Sequence, residues 1–418
     1  MPRRVPLFSY FRTFTPTNLL ASSWTRRFLR FRVTLTQQSP QRRQMPQRWK
    51  ANTLVFLWDN FGPYHMDRVE AVCRQLRCPV IGIELSPKSD TYDWASRPSE
   101  GFERRTIFAD AKPRTLVRQV REILASLPNP RDSCFFLCHY EDPVVFMVAV
   151  ILRLRGGRVI MMNNSKFDDK RRGVWKEFWK SLFVLPYHGA LSSGLRSKAY
   201  WQFLGLKPDT VQGEYNTVSL SRIRRQAGVP PAPNGPDFPD RHFTSIARLV
   251  PKKNLSTLLS AYALYREIVH NPRPLHLCGS GPEEASLRRE AAGLGLSDYV
   301  IFRGWLQDYQ VSHTLGHTLA LLLPSIEEQF GNVVIEAQAL GLPVILSDNC
   351  GARDLLVRSA VNGFVVEPDN PRGLAYFMSL LCEDETLWRR MCDEASTAAP
   401  KGDVQRFVEG VETLAAGN

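Results

Sequence analysis

The sequence predicts an α/β protein with doubly wound parallel sheets and more than one domain. From Asn52 onward, short apolar runs rich in β-branched and aromatic residues alternate with segments of helical periodicity, which is the pattern of repeated strand and helix units. Several of these runs end in glycine or polar residues, and open α/β sheets bind ligands at the carboxyl ends of their strands. At 418 residues the chain exceeds one ordinary core, so two domains are expected.

The composition is that of a globular protein. Apolar residues make up 44% of the chain and charged residues 23%, and no apolar run reaches the roughly 18 residues that a membrane-spanning helix needs. Residues 1–50 contain ten Arg, one Lys and no acidic residue, so they carry +11 of the formal net charge of +13. Because the rest of the chain is nearly neutral, we expect no nucleic-acid partner.

The basic segment 1–50 is predicted to be a disordered extension outside the fold. Its content of Arg, Ser and Thr without acidic residues is typical of an organelle transit segment. The alternative, which we favour, is an upstream start codon assigned in error, with Met45 as the true start. The sequence leaves both interpretations open.

Two common kinds of cofactor site are not predicted. The eight cysteines include no C-x-x-C pair, which favours a reducing compartment such as the cytoplasm over a zinc site or a disulfide framework. Asp168 and Asp169 are adjacent, and no D-x-D pair that could hold a divalent ion occurs anywhere in the chain. The turn after PLHLC has Gly279 but places Glu284 where a dinucleotide fingerprint needs its third glycine. We therefore expect neither a metal nor a nicotinamide cofactor.

The N-terminal domain is predicted to span residues 51–225. Its first strand, NTLVFLW, leads through Gly62 and Pro63 into a helix. Glycine lets a ligand approach the backbone closely, and proline suits the first position of a helix. His65 and Arg68 follow near the start of that helix. They could contact a ligand in a cleft between the domains or simply lie on a solvated helix face.

Two further strands of this domain end in polar clusters. The run SCFFLCHYEDP places His139 after one strand, where it is either a ligand contact or a hydrogen-bonded core histidine. The run GRVIMMNNSKFDDKRR opens into Asn164, Lys166 and Asp169, within the densest polar cluster of the N-terminal half.

Residues 171–185 form a predicted helix with an aromatic stripe beside basic residues. Trp175 and Trp179 lie at helical spacing, and Lys176 and Lys180 are their neighbours. Most such stripes pack on a sheet, whereas tryptophans bordered by cations also describe a helix lying on an anionic bilayer. The second interpretation predicts a peripheral membrane contact.

A linker at residues 226–240, rich in Pro and Gly, separates the first domain from a second at 241–385. The segment 386–418 is predicted to be helical and could cross back to the first domain. The first strand of the second domain ends in ARLVPKKNL, with Arg248 and Lys253 directly after it. A bidentate guanidinium and a compact ammonium can hold one anion between them.

The stretch LLLPSIEEQFGNVVIE, residues 321–336, is predicted to be a buried strand, a tight loop and the start of a helix. The helix that begins after Gly331 offers unpaired backbone N–H groups and its dipole to an anion. Glu328 in the loop and Glu336 one turn into the helix flank this corner, and carboxylates accept hydrogen bonds from vicinal hydroxyls. An anion with a sugar attached, such as a nucleotide sugar, fits both features.

The second domain resembles the retaining glycosyltransferases of family 4 (glycosyl transferases group 1). The resemblance covers most of residues 243–370 and rests on ARLVPKKNL, LHLCGSGPEEASL, VIFRGWL, PSIEEQFGNVVIEAQALGLPVILSDNCGARDLL and NGFVVEPDN. The first domain matches more loosely, through GPYHMDR and SGLRSKAYWQFLGL. The resemblance implies the GT-B fold, in which two Rossmann-like domains face each other across a cleft.

The resemblance also implies roles for individual residues. Arg248 and Lys253 would neutralise the donor diphosphate in place of a metal, Glu328 would contact the donor sugar, and Glu336 would hold the ribose. Further donor contacts would come from the backbone of Gly331, Asn332, Val333 and Gly62. The resemblance leaves the chemistry of the N-terminal domain open. As separate hypotheses, we assign Asn164, Lys166, Asp169 and His65 to the acceptor side and list His139 as a further catalytic candidate in the cleft.

Two features depart from the family pattern. Gln329 stands where glycine is usual, and Asn163 and Asn164 end a strand where many relatives have a histidine beside the reacting carbon. We expect a metal-independent, retaining transferase without cofactor, which moves a sugar from a UDP or GDP donor to a glycan or lipid-linked saccharide in polysaccharide biosynthesis. The alternative is a GT-B protein that binds a nucleotide sugar without transferring it. The expected location is the cytoplasm, with peripheral contact to the inner face of the membrane.

Overall fold

The computed structural model describes residues 52–87, 94, 97–110, 114–169 and 172–416, all of which belong to one compact unit. The predictions for residues 1–50 and for Met45 lie outside the described residues. Within them the chain forms two lobes, each built on a parallel sheet covered by helices on both faces. This architecture confirms the predicted α/β class with two doubly wound domains.

The N-terminal lobe (N-lobe) contains a seven-stranded sheet within the described residues, in the order β3-β2-β1-β4-β5-β6-β7. Its strands are β1 (Thr53–Trp58), β2 (Val80–Glu84), β3 (Glu103–Thr106), β4 (Ser133–Leu137), β5 (Arg158–Asn163), β6 (Gly189–Ser192) and β7 (Val211–Gln212). Its helices are α1 (Pro63–Gln75), α2 (Leu116–Ala125), α3 (Pro143–Leu154), α4 (Val174–Val184) and α5 (Gly194–Phe203).

The C-terminal lobe (C-lobe) contains a six-stranded sheet in the order β10-β9-β8-β11-β12-β13 within the described residues. Its strands are β8 (His242–Ile246), β9 (Leu275–Cys278), β10 (Val300–Gly304), β11 (Thr318–Leu323), β12 (Val344–Ser347) and β13 (Gly363–Val366). The remaining helices are α6 (Leu220–Ala227), α7 (Leu255–Ile268), α8 (Glu284–Gly293), α9 (Asp308–Gly316), α10 (Asn332–Ala339), α11 (Arg353–Leu356), α12 (Pro371–Glu383), α13 (Glu385–Ala398) and α14 (Val404–Ala416).

The central strand β1 shows why the sequence forms a doubly wound sheet. Successive side chains of a strand point to opposite faces, and those of β1 enter two separate cores: Leu54 and Phe56 one, Val55 and Leu57 the other. All four are fully buried. A continuous apolar run therefore supplies apolar side chains to both faces of the sheet, which is necessary because helices cover both faces of a parallel sheet.

The chain crosses between the lobes more than once. Ile223 of α6 and Trp388 of α13 are buried in the core of the C-lobe. Phe407 of α14 is buried in the core of the N-lobe, 5.8 Å between ring centroids from Phe56. The domain limits drawn from the sequence, at 225, 240 and 385, remain predictions.

Candidate active site

The two lobes enclose a cavity of about 340 Å³ at the carboxyl ends of their central strands. Ten of the residues predicted from the sequence line it: Arg248, Lys253, Glu328, Gly331, Asn332, Val333 and Glu336 from the C-lobe, and Gly62, His65 and Asn164 from the N-lobe. Three others, His139, Lys166 and Asp169, do not line it. The structure thus brings the predicted cations and both glutamates together around one space.

The loop that carries the two cations is held by the loop that follows β9. Leu249 N donates to the Ser280 carbonyl (2.9 Å), and Glu283 N donates to the Leu249 carbonyl (3.1 Å). The short helical turn Pro251–Lys253 then brings Lys253 to the cavity wall. Hydrogen bonds of both the N–H and the carbonyl group of Leu249 therefore fix the position of the segment between Arg248 and Lys253.

Asn254 occupies the N-cap position of α7 but does not cap the backbone of the helix with its side chain. It adopts the left-handed conformation (φ 58°), and its side chain accepts no hydrogen bond from a backbone N–H group of the first turn. Its side-chain amide instead donates to the carbonyls of Pro324 (3.0 Å) and Pro368 (2.7 Å). The residue ties the cation loop to the end of β11, where the loop bearing Glu328 begins.

Gly279 is the point of closest approach between the two loops. It has φ 138°, and a Cβ at this position would lie 1.9 Å from the carbonyl oxygen of Ala247, next to Arg248. We expect Gly279→Ala to lower the free energy of unfolding by about 3 kcal/mol or more, because it adds both backbone strain and overlap. Urea denaturation measures this loss.

Gly293, the last residue of α8, is the matched control for this substitution. A Cβ added at this position would meet no atom within 4 Å, and the residue has no positive φ. We expect Gly293→Ala to leave stability unchanged or raise it slightly, since alanine is the better helix former. Equal stability of the two variants would contradict the packing that we assign to Gly279.

Lys253 and Glu328 form an ion pair at the cavity wall, in which the Lys253 ammonium donates to Glu328 Oε2. Their side chains are only 12% and 14% exposed. The adjacent pair, Lys252 and Glu327, is also in contact (3.0 Å) but is more exposed and does not line the cavity. The ion pair with Glu328 therefore holds the Lys253 ammonium in place at the cavity wall, where it can contact an anionic ligand.

The corner before α10 has the predicted form of an anion site. Gly331 occupies the N-cap position with φ 97°, and no side chain caps the helix. A Cβ on Gly331 would lie 3.2 Å from Cys350 Sγ and 3.4 Å from Glu328 Cγ. Glycine thus allows the tight turn and leaves the first N–H groups of α10 directed to the cavity wall that Asn332 and Val333 line.

Glu336 is a buried carboxyl group that contacts the opposite lobe. Tyr64 of α1 donates its hydroxyl to Glu336 Oε2 (3.2 Å). Burial raises the pKa of Glu336 to about 7, and the nearby Arg222 guanidinium limits this increase. The group therefore changes its charge near neutral pH, which makes its ionisation sensitive to any ligand that donates hydrogen bonds to it.

His65 presents a neutral imidazole to the cavity. Its Nδ1 accepts a hydrogen bond from Gly62 N (3.2 Å), and its ring stacks on Trp58 at a centroid distance of 4.7 Å. Burial and the Arg68 charge lower the pKa of His65 to about 3. Because Nδ1 is the acceptor, the proton is assigned to Nε2, and His65 can donate one hydrogen bond to a ligand.

The predicted residues that do not line the cavity make other contacts. His139 has a positive φ of 61°, and the adjacent Cys138 sulfur raises the pKa of its imidazole to about 9. Lys166 is buried and pairs with Asp168 (3.1 Å) and Asp169 (3.5 Å). The catalytic role of His139 and the acceptor-binding roles of Lys166 and Asp169 remain predictions.

Several residues that line the cavity were not predicted to bind a ligand, among them three aromatic residues, Tyr64, Trp94 and Trp305. Trp94 of the N-lobe and Trp305 of the C-lobe both line the cavity, and their ring centroids are 5.0 Å apart. Trp305 directly follows β10, so its place at the end of a strand was a usable signal; Trp94 lies in a segment without periodicity. No sequence signal distinguishes Tyr64 from its neighbour His65, so the contact of Tyr64 with Glu336 could not be predicted.

Arg196 joins the lobes at the edge of the site. Its guanidinium pairs with Asp168 of the N-lobe (2.7 Å) and with Asp354 of the C-lobe (2.6 Å). Gln329, one of the departures from the family pattern, also spans the lobes and donates to Asp169 Oδ2 (3.5 Å). In the described part of the chain, no three His, Cys, Asp or Glu side chains group together as a metal site would require.

The arrangement has the architecture of the GT-B fold, with two facing α/β lobes and a cavity between them. The C-lobe supplies cations, a helix N-terminus and two carboxylates to that cavity. Residues 232–401 match the family model described as Glycosyl transferases group 1. This part of the chain is therefore similar to that family, in agreement with the resemblance found in the sequence.

Curated relatives align with only part of the chain. The lipopolysaccharide core biosynthesis glycosyltransferase LpsE of Rhizobium meliloti is 30% identical over 149 residues, which is 36% of this chain and 42% of that protein. D-inositol 3-phosphate glycosyltransferase of Streptomyces scabiei is 30% identical over 202 residues, 46% of this chain and 45% of that protein. The chain thus aligns with less than half the length of either relative.

Solved structures match over most of the chain. The structure of Anabaena Alr3699/HepE in complex with UDP and glucose matches with a TM-score of 0.65 at 16% identity. The alignment covers 86% of this chain and 98% of the Anabaena chain. Sucrose-phosphate synthase of Thermosynechococcus elongatus has a TM-score of 0.65 at 16% identity and covers 86% of this chain and 96% of its own. At these identities the comparisons support the fold.

Proposed function

We propose that the protein is a glycosyltransferase that moves a sugar from a nucleoside diphosphate to a hydroxyl group of a glycan or lipid-linked saccharide. The observation that carries the proposal is the convergence of Arg248, Lys253, Glu328 and Glu336 on one cavity between the lobes. Two cations and the N-terminus of α10 suit a diphosphate, and the two carboxylates suit sugar hydroxyls. The relatives named above carry the same class of activity in their names.

The proposed reaction proceeds with retention of anomeric configuration and without a metal. The bond between the anomeric carbon and the phosphate oxygen breaks, and the acceptor oxygen forms a new bond to that carbon on the same face. The acceptor proton passes to the released diphosphate. Arg248, Lys253 and the N–H groups at Asn332 and Val333 stabilise the negative charge that develops on the diphosphate, so no metal or other cofactor is required.

Glu328 and the N-lobe wall complete the proposed mechanism. Glu328 contacts the donor sugar and stabilises positive charge at the anomeric carbon, while Glu336 holds the ribose. His65 and Asn164 line the opposite wall, where an acceptor can be bound, and the neutral His65 can donate a hydrogen bond from Nε2. Closure of the lobes excludes water, so that transfer is favoured over hydrolysis.

A panel of donor sugars tests the proposal. UDP-sugars come first because the Anabaena structure contains UDP, followed by GDP-sugars, each with soluble and lipid-linked saccharide acceptors. We expect release of nucleoside diphosphate that depends on acceptor, survives EDTA, and yields a product whose anomeric configuration, read by NMR, matches the donor. Binding by calorimetry without release across the panel would instead support a sugar-nucleotide-binding protein, the alternative that Asn163 and Asn164 suggest.

We also propose that the protein acts in the cytoplasm in polysaccharide biosynthesis and contacts the inner face of a membrane through residues 171–185. Among the described residues, no helix is both long and apolar enough to span a membrane. Peripheral contact would bring the cleft to an acceptor held on a lipid. Fractionation of cells in low and high salt tests the location, since a peripheral protein leaves the membrane fraction in high salt.

A further inference from the structure

Arg68 of α1 is a buried cation that lines the N-lobe side of the cavity. The residue is only 1% exposed, and it follows His65 by one helical turn on the same face of α1. The interpretation that Arg68 lies on a solvated helix face is therefore wrong. Burial lowers the pKa of its guanidinium, but arginine stays charged in proteins. A charge removed from water in this way is costly unless it is paired.

Neutral groups hold the guanidinium of Arg68 in place. Its Nε donates to the Thr217 carbonyl (3.1 Å), and its Nη2 donates to Asn216 Oδ1 (3.3 Å). Its Cζ lies 4.7 Å from the centroid of the Tyr215 ring, and the face of an aromatic ring attracts a cation. These contacts orient the side chain and leave other N–H groups of the guanidinium available, but they bring no negative charge to it.

No carboxylate among the described residues pairs with Arg68. Its neighbour Asp67 pairs with Arg222 instead (2.8 Å). Glu328 and Glu336, the two carboxylates that line the cavity, are bonded to other side chains. The charge of Arg68 is therefore not compensated by any of these acids.

The Cys138 thiol also lies near Arg68, but it does not supply the missing charge. Cys138 is hydrogen bonded to His139 and raises the pKa of that imidazole to about 9. A thiolate at Cys138 would therefore be balanced by the imidazolium of His139. The two groups together bring no net negative charge to the guanidinium.

Arg241 shows how a second buried arginine differs from Arg68. It is also 1% exposed, and it donates to the carbonyls of Pro236, Gly316 and Thr318. It does not line the cavity, so its role is to join segments of the C-lobe. Arg68 has a single carbonyl partner and lines a space that a ligand can enter. The structure thus offers an anion access to Arg68 and not to Arg241.

We propose that Arg68 and His65 form a second anion subsite, which binds an oxyanion carried by the acceptor, such as a phosphate or a carboxylate. The guanidinium contacts the oxyanion in its planar geometry, and the neutral His65 donates a further hydrogen bond from Nε2. The subsite is separate from Arg248 and Lys253, which belong to the C-lobe. This inference rests on the proposed function, because it assumes that the N-lobe wall holds the acceptor.

Calorimetric titration of inorganic phosphate tests the subsite. The full chain is first saturated with the nucleoside diphosphate that the donor panel selects, so that the proposed diphosphate site is occupied. We expect phosphate to bind this complex, and Arg68→Gln to weaken that binding about tenfold or more, because hydrogen bonds to charged groups contribute on this scale. Arg68→Lys keeps the charge and should weaken phosphate binding less.

Arg74, on the same helix, provides the matched control. Its side chain is 55% exposed, lies 3.9 Å from Glu70 and does not line the cavity. Arg74→Gln should therefore leave phosphate affinity unchanged. Melting temperatures without ligand show whether Arg68→Gln disturbs the fold. If it does, His65→Phe provides the second test: it keeps a ring on Trp58, removes the Nε2 donor and should weaken phosphate binding about fivefold.

A comparison of sugars identifies the source of the anion. In the same complex, glucose 6-phosphate or glucuronate should bind more tightly than glucose to the wild type, and Arg68→Gln should reduce this preference. The donor provides the other arm of the test. If Arg68→Gln weakens binding of UDP-glucuronate but not of UDP-glucose, and leaves the acceptor sugars unaffected, Arg68 binds a carboxylate of the donor sugar and the assignment to the acceptor is wrong.

Two further results would overturn the subsite itself. One is the absence of phosphate binding to the wild-type complex, and the other is equal phosphate affinity of the wild type and of both the Arg68→Gln and His65→Phe variants. The titration does not depend on turnover. Failure of the proposed function would instead appear as no release of nucleoside diphosphate with any donor and acceptor, whatever the phosphate titration shows.

Discussion

Lys253→Ala and Glu328→Ala are each expected to lower sugar transfer by about a thousandfold, since electrostatic groups at the reacting centre contribute on this scale. In the proposed mechanism, Lys253→Ala removes the contact between the ammonium and the diphosphate, and Glu328→Ala removes the contact between the carboxylate and the donor sugar. The two residues also pair with each other, so the double variant should be little worse than either single variant. Steady-state rates of nucleoside diphosphate release, with donor affinity measured separately by calorimetry, check both expectations.

The neighbouring pair, Lys252 and Glu327, provides the matched control. It has the same chemistry one residue earlier in each loop, but its side chains are 39% and 27% exposed and do not line the cavity. We expect Lys252→Ala and Glu327→Ala to keep the rate within about threefold of the wild type, as exposed ion pairs contribute little. Full activity of Lys253→Ala or Glu328→Ala would refute the assignment of the site.

Glu336→Gln is expected to weaken nucleotide binding by about a hundredfold, because hydrogen bonds to a charged acceptor contribute about 1.5 to 3 kcal/mol each. Burial raises the pKa of Glu336 to about 7, so nucleotide affinity of the wild type should fall as the pH drops from 8 to 6 and the carboxylate is protonated. The variant should lose the part of this pH dependence that comes from the Glu336 carboxylate and keep the part that comes from the terminal phosphate of the ligand, which ionises at about pH 6. Calorimetric titration of the nucleoside diphosphate at several pH values measures both effects.

Glu336→Gln is expected to weaken nucleotide binding but to stabilise the unliganded protein at high pH. Since the folded-state pKa of Glu336 lies above its ordinary value of 4.5, its stabilising contribution is complete below about pH 4.5 and is lost as the pH rises through about 7. Glu336→Gln should therefore raise the melting temperature at pH 8 and change it little at pH 5. A pH-independent difference in melting temperature would contradict the buried, titrating carboxyl group.

Tyr64→Phe removes the hydrogen bond between Tyr64 of the N-lobe and the Glu336 carboxylate of the C-lobe. It removes the hydroxyl that donates to Glu336 Oε2 and keeps the ring. Because that hydrogen bond favours the ionised form, we expect the midpoint of the pH dependence of nucleotide affinity to move upward in this variant. An unchanged midpoint would mean that the contact between Tyr64 and Glu336 does not persist when nucleotide is bound.

The sequence was informative where a function depends on a short, local arrangement. The segment from Leu321 to Glu336 encodes a strand, a glycine turn and a helix start within 16 residues, and backbone geometry then places Glu328 and Glu336 on the same side. Arg248 and Lys253 follow a strand directly, and the ends of parallel strands meet at one edge of a sheet. Their convergence could be predicted without a structure for that reason.

The sequence was less informative where the direction of a side chain decides its role. Lys166 and Asp169 follow a strand as the cation loop does, but a short helical turn folds them onto each other, and they pair instead of lining the cavity. His139 follows β4 with a left-handed backbone and lies beside Cys138. A polar cluster at the end of a strand has the same sequence pattern whether its side chains line a cavity or pair with each other.

By itself, the sequence determined the α/β class, the two domains and the residues of the C-lobe that surround the cavity, because periodicity and turn chemistry act over a few residues. Only the tertiary structure decided which side of α4 faces solvent and which residues meet across the lobes. Arg196 pairs with Asp354, 158 positions away, and Glu177 turns inward to Tyr200. Contacts between distant segments depend on how whole elements pack, and no local pattern records that packing.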